Sequence, residues 1–177
     1  MDLSFTKVLL TGGFDGDDYV DVTWVFDWST EEWSTKTWSK MSARHSDHGC
    51  WTAKNNSVTE AYISHGWNAE KDSAVTEAYD ITEETWREVE SAGHDPTVIR
   101  RSFGVGYISG RPTLLGGVKC ALDADSGRTQ CTKNGDVLIL NQGLLWEKAG
   151  YNLTSARSSH IMITVPQSMK ATCKPKT

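Results

Sequence analysis

The chain has 177 residues, a formal net charge of −5 and 38% hydrophobic residues. This length fits one domain or at most two, and no apolar run reaches the ~18 residues that a membrane-spanning helix needs. Lysine and arginine are scattered along the chain. Because phosphate binding requires a basic face, nucleic acid and anionic membranes are disfavoured as partners.

The composition favours strands and turns over helices. The chain contains eight tryptophans, only four prolines and many threonine, serine and glycine residues, a mixture typical of β-structure. The best helical candidate, residues 69–78, is interrupted by polar and β-branched residues. The sequence therefore predicts an all-β protein.

An ordered set of features occupies the first part of the chain. An apolar run ends at the pair Gly12-Gly13, a second apolar run ends in Phe26-Asp27, and Trp33 follows six residues after that aspartate. Arg44 then begins a connection. Consecutive glycines allow backbone angles that side chains would block, so the pair predicts a tight turn. The expected strands are 8–10, 21–27, 33–38 and 50–53.

The same order of features returns twice downstream. The second copy has Gly66-Trp67, Tyr79-Asp80, Trp86 and Arg100. The third copy has Gly116-Gly117, Leu140-Asn141, Trp146 and Arg157. Successive tryptophans are 53 and 60 residues apart, and successive arginines are 56 and 57 apart. Such a period indicates a repeated supersecondary unit, and an insertion at 118–135 explains the longer tryptophan interval.

This ordered set resembles the kelch repeat over roughly residues 7–165. The resemblance implies a β-propeller, in which each repeat supplies one four-stranded antiparallel blade around a central channel. It divides a propeller segment at 1–166 into three blades and leaves a flexible basic tail at 167–177. The implied blades are roughly 7–53, 58–108 and 112–165.

Three blades are fewer than the about four to eight of known propellers. We therefore expect an incomplete ring that belongs to a larger propeller. Two alternatives stay open: a last strand at 159–165 that completes the first blade, or a dimer that completes a six-bladed ring. An incomplete ring could self-associate, because it would expose blade faces and strand edges.

The repeated tryptophans have an expected structural role. One blade cannot bury both of its faces, so neighbouring blades must cover them. A tryptophan can bury ~150–250 Å², which suits this gap. We expect Trp33, Trp86 and Trp146 to pack between blades rather than to bind a ligand.

Strand alternation brings the loops after the glycine pairs to the same rim as the arginine connections. Loops held by a rigid scaffold often carry binding residues, so this rim is the predicted partner-binding surface. An alternative is that the arginines only satisfy loop carbonyls or pair with nearby acids. The candidate residues are Asp15, Asp17, Arg44, Asn68, Arg100, Asp123, Asp125, Arg128 and Arg157.

The cysteines and two sequons bear on the cellular compartment. Cys120 and Cys131 in the inserted loop predict a local disulfide, because no Cys-x-x-Cys pair or nearby histidine supports zinc. The sequons at Asn55 and Asn152 fall at predicted turns and suggest glycosylation. Together they favour a secreted parent protein. The first residues do not form a signal peptide, which favours the cytoplasmic alternative.

No motif in the sequence predicts a cofactor or a metal. The aspartate-rich loops do not match a calcium-binding loop, and His45 and His48 have no visible third ligand. We expect a protein-interaction module that binds an unknown protein partner, not an enzyme. One alternative is a fragment of a carbohydrate-active enzyme resembling galactose oxidase, although its copper ligands cannot be placed here. Another is a truncated product without independent function.

Overall fold

The computed structural model describes residues 6–36, 39–55, 58–68, 71–89, 99–123, 125–142 and 144–163. These residues form β-strands joined by turns and loops, which confirms the all-β prediction. None of them forms a helix long and apolar enough to cross a membrane. The strands are β1 (Lys7–Thr11), β2 (Thr23–Asp27), β3 (Glu32–Lys36), β4 (Gly49–Asn55), β5 (Val58–Ser64), β6 (Thr76–Asp80), β7 (Thr85–Glu88), β8 (Gly104–Ile108), β9 (Arg111–Leu115), β10 (Val118–Leu122), β11 (Thr129–Lys133), β12 (Asp136–Leu140) and β13 (Trp146–Asn152).

The strands assemble into three antiparallel sheets and one hairpin. Sheet 1 has the order β1-β2-β3, sheet 2 has β4-β5-β6-β7, and sheet 3 has β13-β12-β9-β8. Strands β10 and β11 form a separate hairpin, inserted between β9 and β12. Each sheet therefore follows chain order except where this insertion interrupts it.

The sheet boundaries correct the predicted blade limits. Strand β4 was expected to end the first repeat, but it pairs with β5 in the register Gly49↔Ser64 to Asn55↔Val58. Likewise β8 pairs with β9. Both pairs are joined by only two residues, and such short connections form hairpins between neighbouring strands. The limits predicted at 53/58 and 108/112 therefore fall within sheets rather than between them.

The core lies between neighbouring sheets. One buried cluster contains Trp51, Tyr62 and Ala78 of sheet 2 together with Leu140 of sheet 3, and Trp146 packs against it. The Trp146 ring meets Trp51 edge to face at a centroid distance of 5.4 Å. Aromatic pairs of this kind contribute about 0.5–1.5 kcal/mol beyond the area that they bury. The prediction that Trp146 packs between sheets is confirmed.

The other two repeated tryptophans differ in burial. Trp86 extends from β7 to sheet 1, where its indole Nε1 donates to Thr23 Oγ1 at 2.9 Å, as predicted for a residue between sheets. Trp33 occupies the equivalent position on β3 but remains 55% exposed. The expectation is wrong for Trp33, because no sheet among the described residues covers its face of sheet 1.

A threefold repeat is visible in the backbone. The turns after β1, β5 and β9 each contain two successive residues with positive φ near 60° and 97°. These pairs are Gly12-Gly13, His65-Gly66 and Gly116-Gly117. The second copy therefore replaces the first glycine with His65, which corrects the predicted substitution of Gly66-Trp67.

The predicted last strand, 159–165, and the predicted tail, 167–177, are together described only in part. Residues 159–163 do not form the predicted strand, although they pack against β8. The rest of that expected strand, the tail at 167–177 and Cys173 lie outside the described residues.

Candidate interaction surface

The loops after the repeated turns lie against the connections between sheets. Ser46 and Trp67 exchange two backbone hydrogen bonds of 2.8 Å, and Arg101 and Val118 exchange two of 3.0 and 2.9 Å. The Gly13 amide donates to the His45 carbonyl at 2.6 Å. We call the resulting edge of the molecule the loop rim. It consists of the described residues of 13–22, 44–48, 66–75, 99–103, 116–135 and 156–159.

The first loop of the rim is acidic and internally braced. Asp15 Oδ1 accepts the amides of Asp17 at 2.9 Å and Asp18 at 2.8 Å. These hydrogen bonds favour the charged carboxylate, with the Asp18 amide the larger contributor, and hold the pKa of Asp15 below its usual value. Arg44 Nη1 donates to Asp18 Oδ2, which joins the connection to the loop. Phe14 stays 59% exposed beside the carboxylates.

Arg101 links the second loop to the inserted hairpin. Its guanidinium lies 4.6 Å from the centre of the Trp67 ring, and its Nε is 3.4 Å from Asp72 Oδ1. Asp72 Oδ2 in turn accepts the Cys120 amide at 3.0 Å. Sequence reasoning missed Arg101, although the adjacent Arg100-Arg101 pair signals that only one of two neighbouring side chains can point inward.

The inserted hairpin carries the predicted disulfide. Cys120 and Cys131 lie directly opposite each other on β10 and β11 and are bonded. At the tip, Asp123 Oδ1 accepts the amides of Asp125 at 3.0 Å and Ser126 at 2.9 Å. The Ser126 amide is the main cause that lowers the pKa of Asp123. Asp123 is therefore a turn-forming residue, and Asp125 is an exposed one.

The predicted alignment of the arginines is wrong by one residue. The amides of Gly13, Gly66 and Gly117 donate to the carbonyls of His45, Arg100 and Arg157 respectively. His45, not Arg44, is thus the structural equivalent of the two later arginines.

Arg100 does not belong to the predicted binding surface. Its side chain is fully buried, and its Nη1 donates to the carbonyls of Gly116 at 3.1 Å and Asp136 at 3.3 Å. Its role is to tie the connection to sheet 3, as the alternative expectation held.

The remaining rim candidates are placed as follows. Arg157 and Arg128 are exposed, and Arg157 Nε donates to the Ser155 carbonyl at 3.3 Å. Asn68 Oδ1 accepts the Lys71 amide at 2.9 Å and shapes the second loop.

A buried polar cluster lies beneath the rim. His45 Nε2 is 3.1 Å from Glu77 Oε1, and both side chains are 1% exposed. Glu77 Oε2 also accepts the Ser42 amide at 2.8 Å. Burial, together with the charge of His45, lowers the pKa of His48 to about 4. Within the described ranges, no group of three or more His, Cys, Asp or Glu side chains is arranged to hold a metal ion.

The asparagines of the two sequons lie at strand ends. Asn152 is the last residue of β13 and is exposed. Asn55 is the last residue of β4, and its side chain lies outside the described part of the chain.

Comparisons with known proteins give a fold but no family. No protein-family model and no curated protein matches the chain. Among solved structures, 112 chains match. One of them, YjhT, has a TM-score of 0.61 and 15% sequence identity, over 86% of this chain and 51% of the YjhT chain. This chain therefore spans about half the length of YjhT, and the likeness concerns the fold alone.

Proposed function

We propose that the three sheets are blades of a kelch-type β-propeller and that the chain binds a partner protein through the loop rim. The recurrence of the same two-residue turn after β1, β5 and β9 supports the first part. The stacking of loops and connections on one edge of the molecule supports the second, because such edges present side chains on a rigid scaffold.

The observation that carries the binding proposal is the exposure of Phe14 on a braced acidic loop. Its ring contacts Tyr19 at a centroid distance of 5.3 Å and still presents 59% of its surface to solvent. A rigid, exposed aromatic residue loses little entropy on binding and is enriched at interface centres. The braced loop therefore has the properties of an anchor.

The charge around Phe14 indicates the chemistry of the partner. Asp15, Asp17 and Asp18 supply three negative charges, and Arg44 supplies one positive charge, which leaves a local charge of −2. Complementary charge steers association and selects partners. We propose that the partner presents lysine or arginine residues beside an apolar side chain.

Selection from a random peptide library displayed on phage tests this proposal. The immobilised protein should enrich peptides that combine basic and apolar residues. Phe14→Ala and Asp17→Asn should each weaken binding of the selected peptides by about tenfold, the loss expected for an interface anchor or a complementary charge. The matched control is Glu83→Gln, an exposed carboxylate in the β6–β7 turn at the opposite end of sheet 2. Peptides without basic residues, or unchanged binding to Phe14→Ala, would contradict the proposal.

A further inference from the structure

Sheets 1, 2 and 3 follow one another and form what we call the sheet array. Its two ends, at β1 of sheet 1 and at segment 159–163 beside sheet 3, carry complementary unpaired surfaces. Strand β1 pairs with β2 along one edge, and no strand among the described residues pairs with its other edge. In sheets 2 and 3 the equivalent edge is occupied, because β4 pairs with β5 and β8 pairs with β9. Sheet 1 is therefore open where its neighbours are closed.

A groove follows this open edge. It has a volume of about 510 Å³ and lies between β1 and the facing side of sheet 2. Its lining is mainly apolar and includes Leu9, Cys50, Ala61, Ile63 and Trp86. The groove lies where the strand equivalent to β4 or β8 would complete sheet 1.

The C-terminal segment 159–163 is equivalent to the beginning of β4 and β8. Asp47, Ser102 and Ser159 share a positive φ of 52–54°. They are also connected in series, because the Ser159 amide donates to the Ser102 carbonyl at 2.7 Å and the Ser102 amide donates to the Asp47 carbonyl at 3.2 Å. The first two residues lead into β4 and β8, so the third leads into a segment of the same kind.

This segment packs against sheet 3 as β8 and the residue before it pack against sheet 2. Val105 of β8 and Phe103, just before that strand, lie against Gly49 of β4 and leave no room there for a Cβ atom. In the same way His160 and Met162 lie against Gly104 of β8. One face of the segment is thus docked on sheet 3, while its opposite face remains open.

The open face of the segment is apolar. Ile161 is 89% exposed and Ile163 is 79% exposed. Side chains alternate along an extended segment, so these two isoleucines point away from the face that carries His160 and Met162. They would enter a groove of the kind found beside β1.

We propose that the C-terminal segment of one copy adds to the open edge of β1 in a second copy, and that two copies joined at both ends form a closed ring. Strand addition satisfies the unpaired backbone groups of an edge strand. Two identical head-to-tail contacts close a dimer when the rotation between copies allows it. Because one chain spans 51% of YjhT, two copies supply about the same extent of this fold as one YjhT chain.

The equivalence of segment 159–163 with the beginnings of β4 and β8 defines the register in which this segment would pair with β1 of the second copy. Cys50 is opposite Ile63 in sheet 2, and Val105 is opposite Leu114 in sheet 3. The corresponding pair is Met162 of one copy and Leu10 of the second copy. Ile161 and Ile163 would then face Thr11 and Leu9 along the strand, with their side chains directed into the groove.

Two other exposed features fit the same arrangement. Trp33 would lie against sheet 3 of the other copy, as Trp86 lies against sheet 1 and Trp146 against sheet 2. Arg157 would face the second copy's sheet 1, as Arg100 faces sheet 3. The closed ring rests on the proposed propeller architecture and, through Arg157, includes part of the loop rim. It does not use Phe14 or the acidic loop, so partner binding through Phe14 can fail without it.

Site-directed disulfide cross-linking tests the contact. Cys50 and Cys173 are replaced by serine, and a chain with Leu10→Cys is mixed with a chain with Met162→Cys. Opposite residues on paired strands are ~4.5–5.5 Å apart at Cα, within disulfide range. We expect a two-chain product on a non-reducing gel. The control pair, Val8→Cys with Met162→Cys, is displaced by two residues or ~7 Å and should cross-link poorly.

The mass of the protein in solution tests whether a second copy occupies the groove. Light scattering should give twice the 19.6 kDa mass of one chain. Ile161→Asp combined with Ile163→Asp should weaken association by at least ~100-fold, because two apolar side chains lose their burial. Tyr151→Asp, at an exposed site on β13, should leave the mass unchanged. A single-chain mass at all concentrations, a cross-link within one chain carrying both cysteines, or assemblies larger than two chains would overturn the proposal.

Discussion

At the scale of single residues, adjacent arginines have opposite roles. Arg100 is buried and donates to the carbonyls of Gly116 and Asp136, whereas Arg101 lies over Trp67 on the loop rim. The sequence pattern aligned Arg44 with Arg100 because both are arginines in a similar connection. Only the backbone hydrogen bonds show that His45 is the equivalent residue. Residue identity alone cannot reveal a shift of one position.

Replacement of Arg100 tests its structural role. Arg100→Met should lower the free energy of unfolding by about 3 kcal/mol, because it removes the Nη1 donor of the buried Gly116 carbonyl and one of the partners of Asp136. Arg128→Met, at an exposed position in the hairpin, should change it by less than about 0.5 kcal/mol. Urea denaturation of both variants measures the difference. Equal effects would show that burial of Arg100 does not stabilise the protein.

His48 makes stability depend on pH. Burial lowers the pKa of His48 in the folded protein to about 4, below its ordinary value of 6.5, so the folded protein favours the neutral imidazole. The contribution of His48 to the free energy of unfolding is fully present above pH 6.5. It is lost as the pH falls towards 4, by about 3 kcal/mol in total. His48→Phe removes this titration, and Phe103 already occupies the equivalent position in the next repeat.

The measurement is unfolding free energy against pH for both proteins. The wild-type curve should fall more steeply than that of His48→Phe between pH 6.5 and 4. Parallel curves would show that the His48 imidazole titrates normally in the folded protein.

At the scale of secondary structure, strands and the disulfide could be predicted, but the grouping of strands could not be read from the repeat alone. The features recur in a fixed order, and any starting point within one repeat describes the sequence equally well. The two-residue connection Ser109-Gly110 was the available signal, since both residues have positive φ and form the tight turn of a hairpin. Connection length, rather than the repeat motif, determines which strands pair.

The repeated turn gives a matched pair of substitutions. Gly13 and Gly66 have nearly the same φ, 98° and 96°. A Cβ at Gly66 would be 2.4 Å from the Ser46 carbonyl oxygen, whereas a Cβ at Gly13 would meet nothing within 4 Å. Gly13→Ala should lower the free energy of unfolding by about 1–2 kcal/mol, because of the backbone conformation alone. Gly66→Ala should cost a further ~1–3 kcal/mol from the close contact.

Thermal unfolding of the two alanine variants separates these contributions. The melting temperature of Gly66→Ala should be clearly lower than that of Gly13→Ala. If the two variants melt together, the close approach of the connection to the second turn does not constrain the fold.

At the scale of the whole molecule, the repeat predicted that an incomplete ring would expose blade faces and strand edges, but it did not show which side chains lie on them. Trp33 and Trp86 have the same sequence context, and the presence of a neighbouring sheet decides which one is partly covered. The repeat does predict that each sheet face requires a cover. The open edge of β1, the exposed isoleucines at 161 and 163 and the exposed Trp33 are therefore consequences of one arrangement, which a second copy would complete.

Amide hydrogen exchange of β1 tests this association most directly. Peptides covering residues 7–11 should exchange slowly at concentrations where two copies pair, because both edges of β1 are then hydrogen-bonded, and should exchange faster on dilution. Peptides from β5, which is paired on both edges within one chain, should exchange at the same rate under both conditions. Exchange of β1 that is equally fast at every concentration would contradict the pairing of β1 with a second copy.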